Sequence, residues 1–208
     1  MIGMTFRVSE LESFRQWRND EDADLDLLLA RMRGQTDASE AMLAGTAFHK
    51  ALELSPTGIE ASTIGALGYT FKFCGDFEIA LPPVREVRAS KTYCGDDYAI
   101  TISGQVDAIY GRMIFDHKTT GRFDPDRYLT GYQWRMYLEI FGADCFRWNV
   151  FEISATDDPL TWEVFADHRL EQFRYPAMGY DCELLAHELA RFALDRMPER
   201  IKPVRIAA

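Results

Sequence analysis

The 208-residue sequence has no apolar run approaching the ~18 residues that a membrane helix needs. Its opening segment, MIGMTFRVSELESF, lacks the basic start and apolar stretch of a secretory signal. The expected location is therefore the cytoplasm, with no membrane partner. Cysteine is sparse: Cys74, Cys94, Cys145 and Cys182 form no CxxC pair, which argues against a zinc knuckle or a dense disulfide scaffold. Reduced thiols are expected. No GxxxxGK[ST] phosphate loop is present. Positive charge is in deficit, with 23 Lys and Arg against 33 Asp and Glu and a net charge of −10. That balance counts against a protein that coats nucleic acid nonspecifically, because neutralising phosphate requires cations. It remains compatible with an acidic cluster holding a divalent ion and with a local basic groove.

What is present fits one globular domain over residues 1–208, since 47% of the residues are hydrophobic and 27% charged. Ser9 and Glu12 read as a capping box opening a helix with Leu11, Phe14 and Trp17. A second helix is expected from Asp24 to Arg33, stopping at Gly34, and a third from Asp37 or Ser39 through AMLAGTAFHKALE. From Tyr69 the period changes to two. Strands are expected near 69–73, 77–81, 84–92, 97–110 and 112–118. Asp124-Pro125 then opens a helix reaching Phe141 and ending at Gly142. Segments 145–153 and 161–166 read as strands, and 181–196 as a last helix. The fold class is α/β, with a central mixed β-sheet flanked by helices. The C-terminal RMPERIKPVRIAA, with Arg196, Arg200, Lys202 and Arg205, is either a solvated tail or a segment that touches nucleic acid.

The segment ITISGQVDAIYGRMIFDHKTT (100–120) carries the chemistry. Gly111-Arg112 suits a two-residue type II′ turn, which sets Tyr110 opposite Met113 and Asp107 opposite Asp116. Gln105 then faces Lys118. Directly opposed side chains have Cβ atoms about 4.5–5.5 Å apart, where two carboxylates repel unless a cation lies between them. Hard oxygen donors with open positions suit Mg²⁺ or Mn²⁺. The Lys118 ammonium, two residues beyond Asp116, can orient water and stabilise charge growing on a phosphate.

GQVDAIYGRMIFDHKTT resembles the paired metal-binding motifs of PD-(D/E)xK nucleases, in the form of the RecB-like exonuclease branch: a G-x-x-D strand, a short turn, then D-x-K-[ST]. GTAFHKALE resembles the G-x-x-x-H-x-x-L-E helix of that group at Gly45, His49, Leu52 and Glu53. YLTGYQWRMYLEIFG resembles its Q-x-x-x-Y helix at Gln133 and Tyr137, and VSELESFRQW its opening. The four motifs span residues 8 to about 150 in family order.

The resemblance implies a restriction-endonuclease-like core and a DNA phosphodiesterase using one or two Mg²⁺ or Mn²⁺ ions. His49, Asp107, Asp116 and the backbone carbonyl of His117 would bind metal. Lys118 would orient water, and Gln133 would reach the lysine or a phosphate. Tyr137 would pack beside the DNA strand, while Arg88, Arg122 and Arg135, together with Arg85 and Arg127, flank the motifs as candidate phosphate contacts. Glu86 and Glu53 are weaker candidates, Glu53 as an orienter of His49. The implied substrate is single-stranded DNA or a duplex end in recombination, repair or phage DNA processing, with a recombination or single-strand-binding protein as a possible partner. Some relatives carry an iron–sulfur cluster; Cys182 stands alone near the end, so none is expected. A structure-specific or restriction-like endonuclease and a non-cutting DNA- or protein-binding module are the alternatives.

Overall fold

In the computed structural model, which describes residues 1–56, 62–75, 77, 79 and 81–203, the chain opens with strand β1 (Ile2–Arg7) and helices α1 (Val8–Arg18), α2 (Leu25–Met32) and α3 (Glu40–Leu54). Strands β2 (Thr63–Ala66), β3 (Tyr69–Phe73), β4 (Val84–Cys94), β5 (Tyr98–Tyr110) and β6 (Met113–Thr120) follow. Helices α4 (Asp126–Leu129) and α5 (Gln133–Phe141) lead to β7 (Cys145–Ala155) and β8 (Thr161–Phe173). The long helix α6 (Met178–Arg196), a 3-10 turn at Pro198–Arg200 and the short β9 (Lys202–Pro203) complete the described chain.

The strands form one mixed sheet, ordered β2-β3-β8-β7-β6-β5-β1-β9, with β4 on the other side of β5. The layout of β5 decides where the site falls. β4 runs antiparallel along one side of it, from Val84↔Ile109 to Cys94↔Ala99. The opposite side is shared: β1 pairs in parallel from Ile2↔Tyr98 to Arg7↔Ser103, and β6 pairs only from Ala108↔Phe115 to Tyr110↔Met113. Beyond Phe115, β6 leaves β5 and stays with β7 from Met113↔Cys145 to Thr120↔Glu152. A fork opens between Ser103 and Ala108, where that side of β5 has no strand partner among the described residues.

Apolar stripes hold the helices against this sheet. Leu11, Phe14, Trp134, Met136, Leu185 and Leu189 join the larger core over β5, β6 and β7. Phe48 and Leu52 of α3 form a second cluster with Phe71, Phe151 and Val164. The caps follow side-chain chemistry. Asp24 accepts from the amides of Asp26 and Leu27, Ser39 from that of Met42, and Gly142, at φ +61°, ends α5.

Several expectations are corrected. Strands β1 and β2 were not anticipated, and β8 runs on to Phe173. Residues 77, 79 and 81 carry no strand pairing; 78 and 80 lie outside the described residues. The capping carboxylate of α1 is Glu10, which accepts from the Arg7 amide at 2.6 Å, rather than Glu12. Glu12 instead accepts from the Tyr132 amide at 2.7 Å. That contact lies at a break, around Gly131, in what the sequence presented as one helix from 124 to 141.

The C-terminal segment is no loose tail up to Pro203. Arg200 donates to Glu10 and to the Met32 carbonyl, both at 2.5 Å, and lies over the Phe6 ring. Arg33 pairs with Glu199, and β9 pairs antiparallel with β1. Residues 204–208, with Arg205, lie outside the described residues.

Glu139 shows how the layers are tied together. Its carboxylate, 10% exposed, meets Lys91 of β4 and, at 2.8 Å, Arg174 beyond β8. Burial works to raise its pKa, but the two cationic hydrogen bonds outweigh it and hold the group below the ordinary carboxylate value. Its stabilisation is therefore complete above the unfolded-state pKa and lost as pH falls through the folded one. Glu139→Gln is expected to cost about 1–2 kcal/mol at pH 7. Urea unfolding of both proteins should show the gap narrowing as pH falls below the ordinary carboxylate value.

Candidate active site

The fork in the sheet gathers the acidic residues that the sequence singled out. Asp107 sits on β5 just past the last β5–β6 pair, and Asp116 and Lys118 sit on β6 as it turns away. One Asp107 oxygen accepts from the His117 amide at 2.6 Å and lies 3.3 Å from Nδ1 of His49. The Asp116 carboxylate is 4% exposed, and Lys118 Nζ donates to its Oδ1 at 2.9 Å. Its Oδ2 is buried and, although 2.9 Å from the same nitrogen, has no hydrogen bond. The ladder never reaches Gln105 and Lys118. Gln105 turns instead to β4, donating to Glu86 and accepting from Arg88 Nε at 2.6 Å.

α3 delivers His49 because Gly45, one turn earlier, has no side chain. A Cβ there would stand 3.0 Å from Thr119 Oγ1 of β6. Glu86 completes the acidic side of the fork. It falls between the pairs Arg85↔Ala108 and Val87↔Val106, at φ +53°. For a residue with a side chain that backbone costs on the order of 1–3 kcal/mol, and such strain persists where its surroundings enforce it. Asp107, Glu53 and His49 all lie within electrostatic reach of Glu86. Glu53 itself is paired with Lys50 at 2.6 Å, not with His49.

α5 closes the other side. Gln133 lies one helical turn before Tyr137, within electrostatic reach of its hydroxyl. The Tyr137 ring is 7% exposed, stacks parallel on Phe146 and lies over Gly104. A Cβ at position 104 would come within 2.5 Å of that ring. Gly104→Ala is expected to cost about 1–3 kcal/mol, because the buried ring has no free direction to move; thermal unfolding against wild type measures it.

The arginines divide into two groups. Arg88 and Arg122 are exposed, as is Arg127. Arg135 is held inside the α4–α5 break, donating to the carbonyls of Thr130 and Gly131 and lying 4.6 Å from the Tyr132 and Trp134 rings. Arg85 donates to Leu52, Glu53, Ser55 and Pro56 carbonyls at the end of α3. Neither guanidinium is presented for phosphate. Sequence reasoning missed Arg7 and Ser9. With Arg88, Ser103, Gln105 and Tyr137 they line a groove of about 720 Å³ that opens beside the fork, and no acidic side chain among the described residues lines it. An arginine directly before the VSELESF motif was the available signal.

The electrostatics follow from burial and crowding. Burial raises the Asp116 pKa, the Asp107 charge adds to that, and Lys118 opposes both. For Asp107 burial is outweighed by the His49 hydrogen bond and the His49 and Lys118 charges, which hold it well below the carboxylate range. The two acids keep Lys118 an ammonium despite its burial. Burial pushes His117 down to about 4, and its ring lies 3.3 Å from Asn149 on the far face. Tyr137 is pushed up to about 12, chiefly by burial and then by Asp116.

The chain resembles a crystal structure described as that of SSO0001, with a TM-score of 0.50 at 17% identity, over 90% of this chain and 76% of that one. The likeness is one of fold. An alkaline exonuclease, LHK-Exo from Laribacter hongkongensis, aligns with a TM-score of 0.48 at 14% identity over 92% of this chain and 89% of its own. LHK-Exo in complex with dAMP aligns at 0.44 and 16%, over 91% and 88%. No family model and no curated protein matches the chain. No helix among the described residues is long and apolar enough to cross a membrane.

The donor set fits a hard divalent cation in type. Asp116 Oδ2 is a buried oxygen without a hydrogen bond, and its carboxylate feels the charges of Asp107 and His49 as well as Lys118. Among the described residues no three His, Cys, Asp or Glu side chains are already spaced to hold an ion. Asp107 points to the His117 amide and Asp116 to Lys118, so binding would require both carboxylates to turn away from their protein donors.

Proposed function

We propose that this chain is a divalent-metal-dependent deoxyribonuclease of the PD-(D/E)xK type, closest to the RecB-like branch, acting from single-stranded DNA ends within one nuclease domain. The observation that carries this reading is the fork itself: two acids flank the point where β6 leaves β5, with a lysine ammonium on Asp116 and a histidine beside Asp107. Four family-like motifs in order along the sequence support it independently. Asp107, Asp116, His49 and the His117 carbonyl would hold Mg²⁺ or Mn²⁺, with Glu86 in electrostatic reach of Asp107 and His49. The ion, one or two in number, would lower the pKa of a water and offset charge on the scissile phosphate. Lys118 orients that water and steadies the phosphate. Gln133, one helical turn before Tyr137, positions the lysine side of the pocket, and Arg88, Arg7 and Arg122 receive neighbouring phosphates.

End-labelled single- and double-stranded DNA and covalently closed circles, each with Mg²⁺, Mn²⁺ or EDTA, test the proposal. Metal-dependent loss of label from linear single strands, with circles spared, is the expected result. Cutting of closed circles would make the protein an endonuclease. Absence of cutting on every substrate with either metal would overturn the assignment.

A further inference from the structure

The outer face of β1, β4 and β5 is bare. Along β5 the residues turned from the core are Ala99, Thr101, Ser103, Gln105 and Asp107, which alternate with buried Ile100, Ile102 and Val106. Their β4 neighbours are Cys94, Thr92, Ser90 and Arg88, and those on β1 are Gly3, Thr5 and Arg7. No large apolar side chain lies on this face between Ala99 and Asp107. Helices α1, α5 and α6 pack on the other side, in the core with Met4, Phe6 and Tyr93, while α3 reaches this face at Asp107 through His49.

Hydroxyl groups dominate the surface, as in the 2.8 Å contact between Thr92 and Thr101. Two grooves of about 720 Å³ each open onto it and share Arg7 and Ser103, the first extending through the fork to Val8, Gly104 and Tyr137 on the helix side. The first reaches Gln105, two residues from Asp107. The second continues past Thr5, Thr92 and Thr101 to Lys202. Its two acids are already engaged, Glu10 by Arg200 and Arg7 and Glu199 by Arg33. Arg7, Arg88 and Lys202 thus stand along a hydroxyl-lined path on a chain of net charge −10.

We infer that this face is a track for a single strand of nucleic acid, running from the fork along β5 to β9. The inference rests on the nuclease reading for the identity of the fork and extends it by giving the strand a route. Cations with Ser and Thr hydroxyls are the groups that contact phosphate and sugar without reading sequence. The absence of exposed apolar side chains disfavours a protein partner, whose interface core would need them. From Asp107 to Ala99 the path covers about 26 Å at ~3.3 Å per residue. With phosphates at least ~3.4 Å apart, it holds no more than about eight nucleotides.

The test uses Thr92→Glu, Lys202→Glu and Thr92→Lys, all at exposed positions outside the proposed catalytic group. Fluorescence anisotropy with labelled oligothymidylates of four to sixteen nucleotides, in EDTA, reads binding without cleavage. Wild-type affinity should rise with length and level off at or before about eight nucleotides. Either Glu variant should weaken binding of the longer strands by about ten-fold, leave the four-mer unchanged and flatten the salt dependence, while Thr92→Lys tightens long-strand binding. Equal binding of long strands by wild type and all three variants would overturn the track. So would affinity that does not change with length. Because this assay needs no catalysis, a track without cleavage and cleavage without a track are separate outcomes.

Discussion

Asp116→Asn is expected to abolish metal-dependent cleavage, by at least about a hundred-fold, while leaving the protein as stable as wild type or more so. The two effects have one cause. Burial and the Asp107 charge raise the Asp116 pKa, so its ionised form burdens the fold at neutral pH even with Lys118 beside it. The amide keeps the shape, removes the repulsion and deletes a hard oxygen donor. Lys118→Met separates the roles from the other direction. It leaves two buried acids without their ammonium, and the melting temperature should fall. Added Mg²⁺ should then recover stability, by about 2.7 kcal/mol at a hundred times its dissociation constant. Thermal unfolding of both variants with Mg²⁺ and with EDTA measures all of this. A melting temperature that drops for Asp116→Asn, or that ignores Mg²⁺ for Lys118→Met, would remove the argued balance of charge.

Phe48→Ala should be the most damaging single truncation near the site, costing about 3–5 kcal/mol. Phe48 is fully buried, with ring centroids 5.0 Å from Phe71 and 4.9 Å from Phe151. It precedes His49 and is the largest side chain by which α3 engages the sheet beneath the fork. Its loss leaves a cavity and frees the helix that carries the imidazole. Urea unfolding gives the stability loss, and the Mg²⁺ concentration for half-maximal cleavage should rise in parallel. Phe48→Leu, which keeps more of the volume, should recover most of both. Unchanged metal dependence in a destabilised Phe48→Ala protein would show that His49 is not positioned through this contact.

Much of this arrangement was legible in the residues. The period-two segment ending at Gly111 gave the hairpin, with Tyr110 opposite Met113 as the turn chemistry required. Asp24, Ser39 and Gly142 marked helix ends because capping depends on local hydrogen bonds and backbone angles. What stayed hidden depends on distant partners. β1 spans six residues and reads as a strand only once β5 lies beside it. The split at Gly131 is supported by Glu12, 120 positions before Tyr132. Arg135 looked like a free cation until its stacking on Tyr132 and Trp134 was visible. Asp107 and Asp116, expected as a directly opposed pair, fall one step beyond the last pair, Ala108↔Phe115, because β6 parts from β5 there and follows β7, encoded some thirty residues later.

The clasp formed by Arg200, Glu199 and β9 bears on how the polypeptide emerges from the ribosome. Arg200 reaches Glu10 across 190 positions, and Lys202 pairs with Gly3. The first strand and first helix therefore wait, until some 190 further residues have been made, for the residues that lock them. Until then the Ile2–Gly3 edge that β9 covers is an unpaired strand margin, the kind of surface on which nascent chains aggregate. Premature termination before Glu199 would leave every fork residue present yet release the lock on the end of the molecule where β1 and α1 begin.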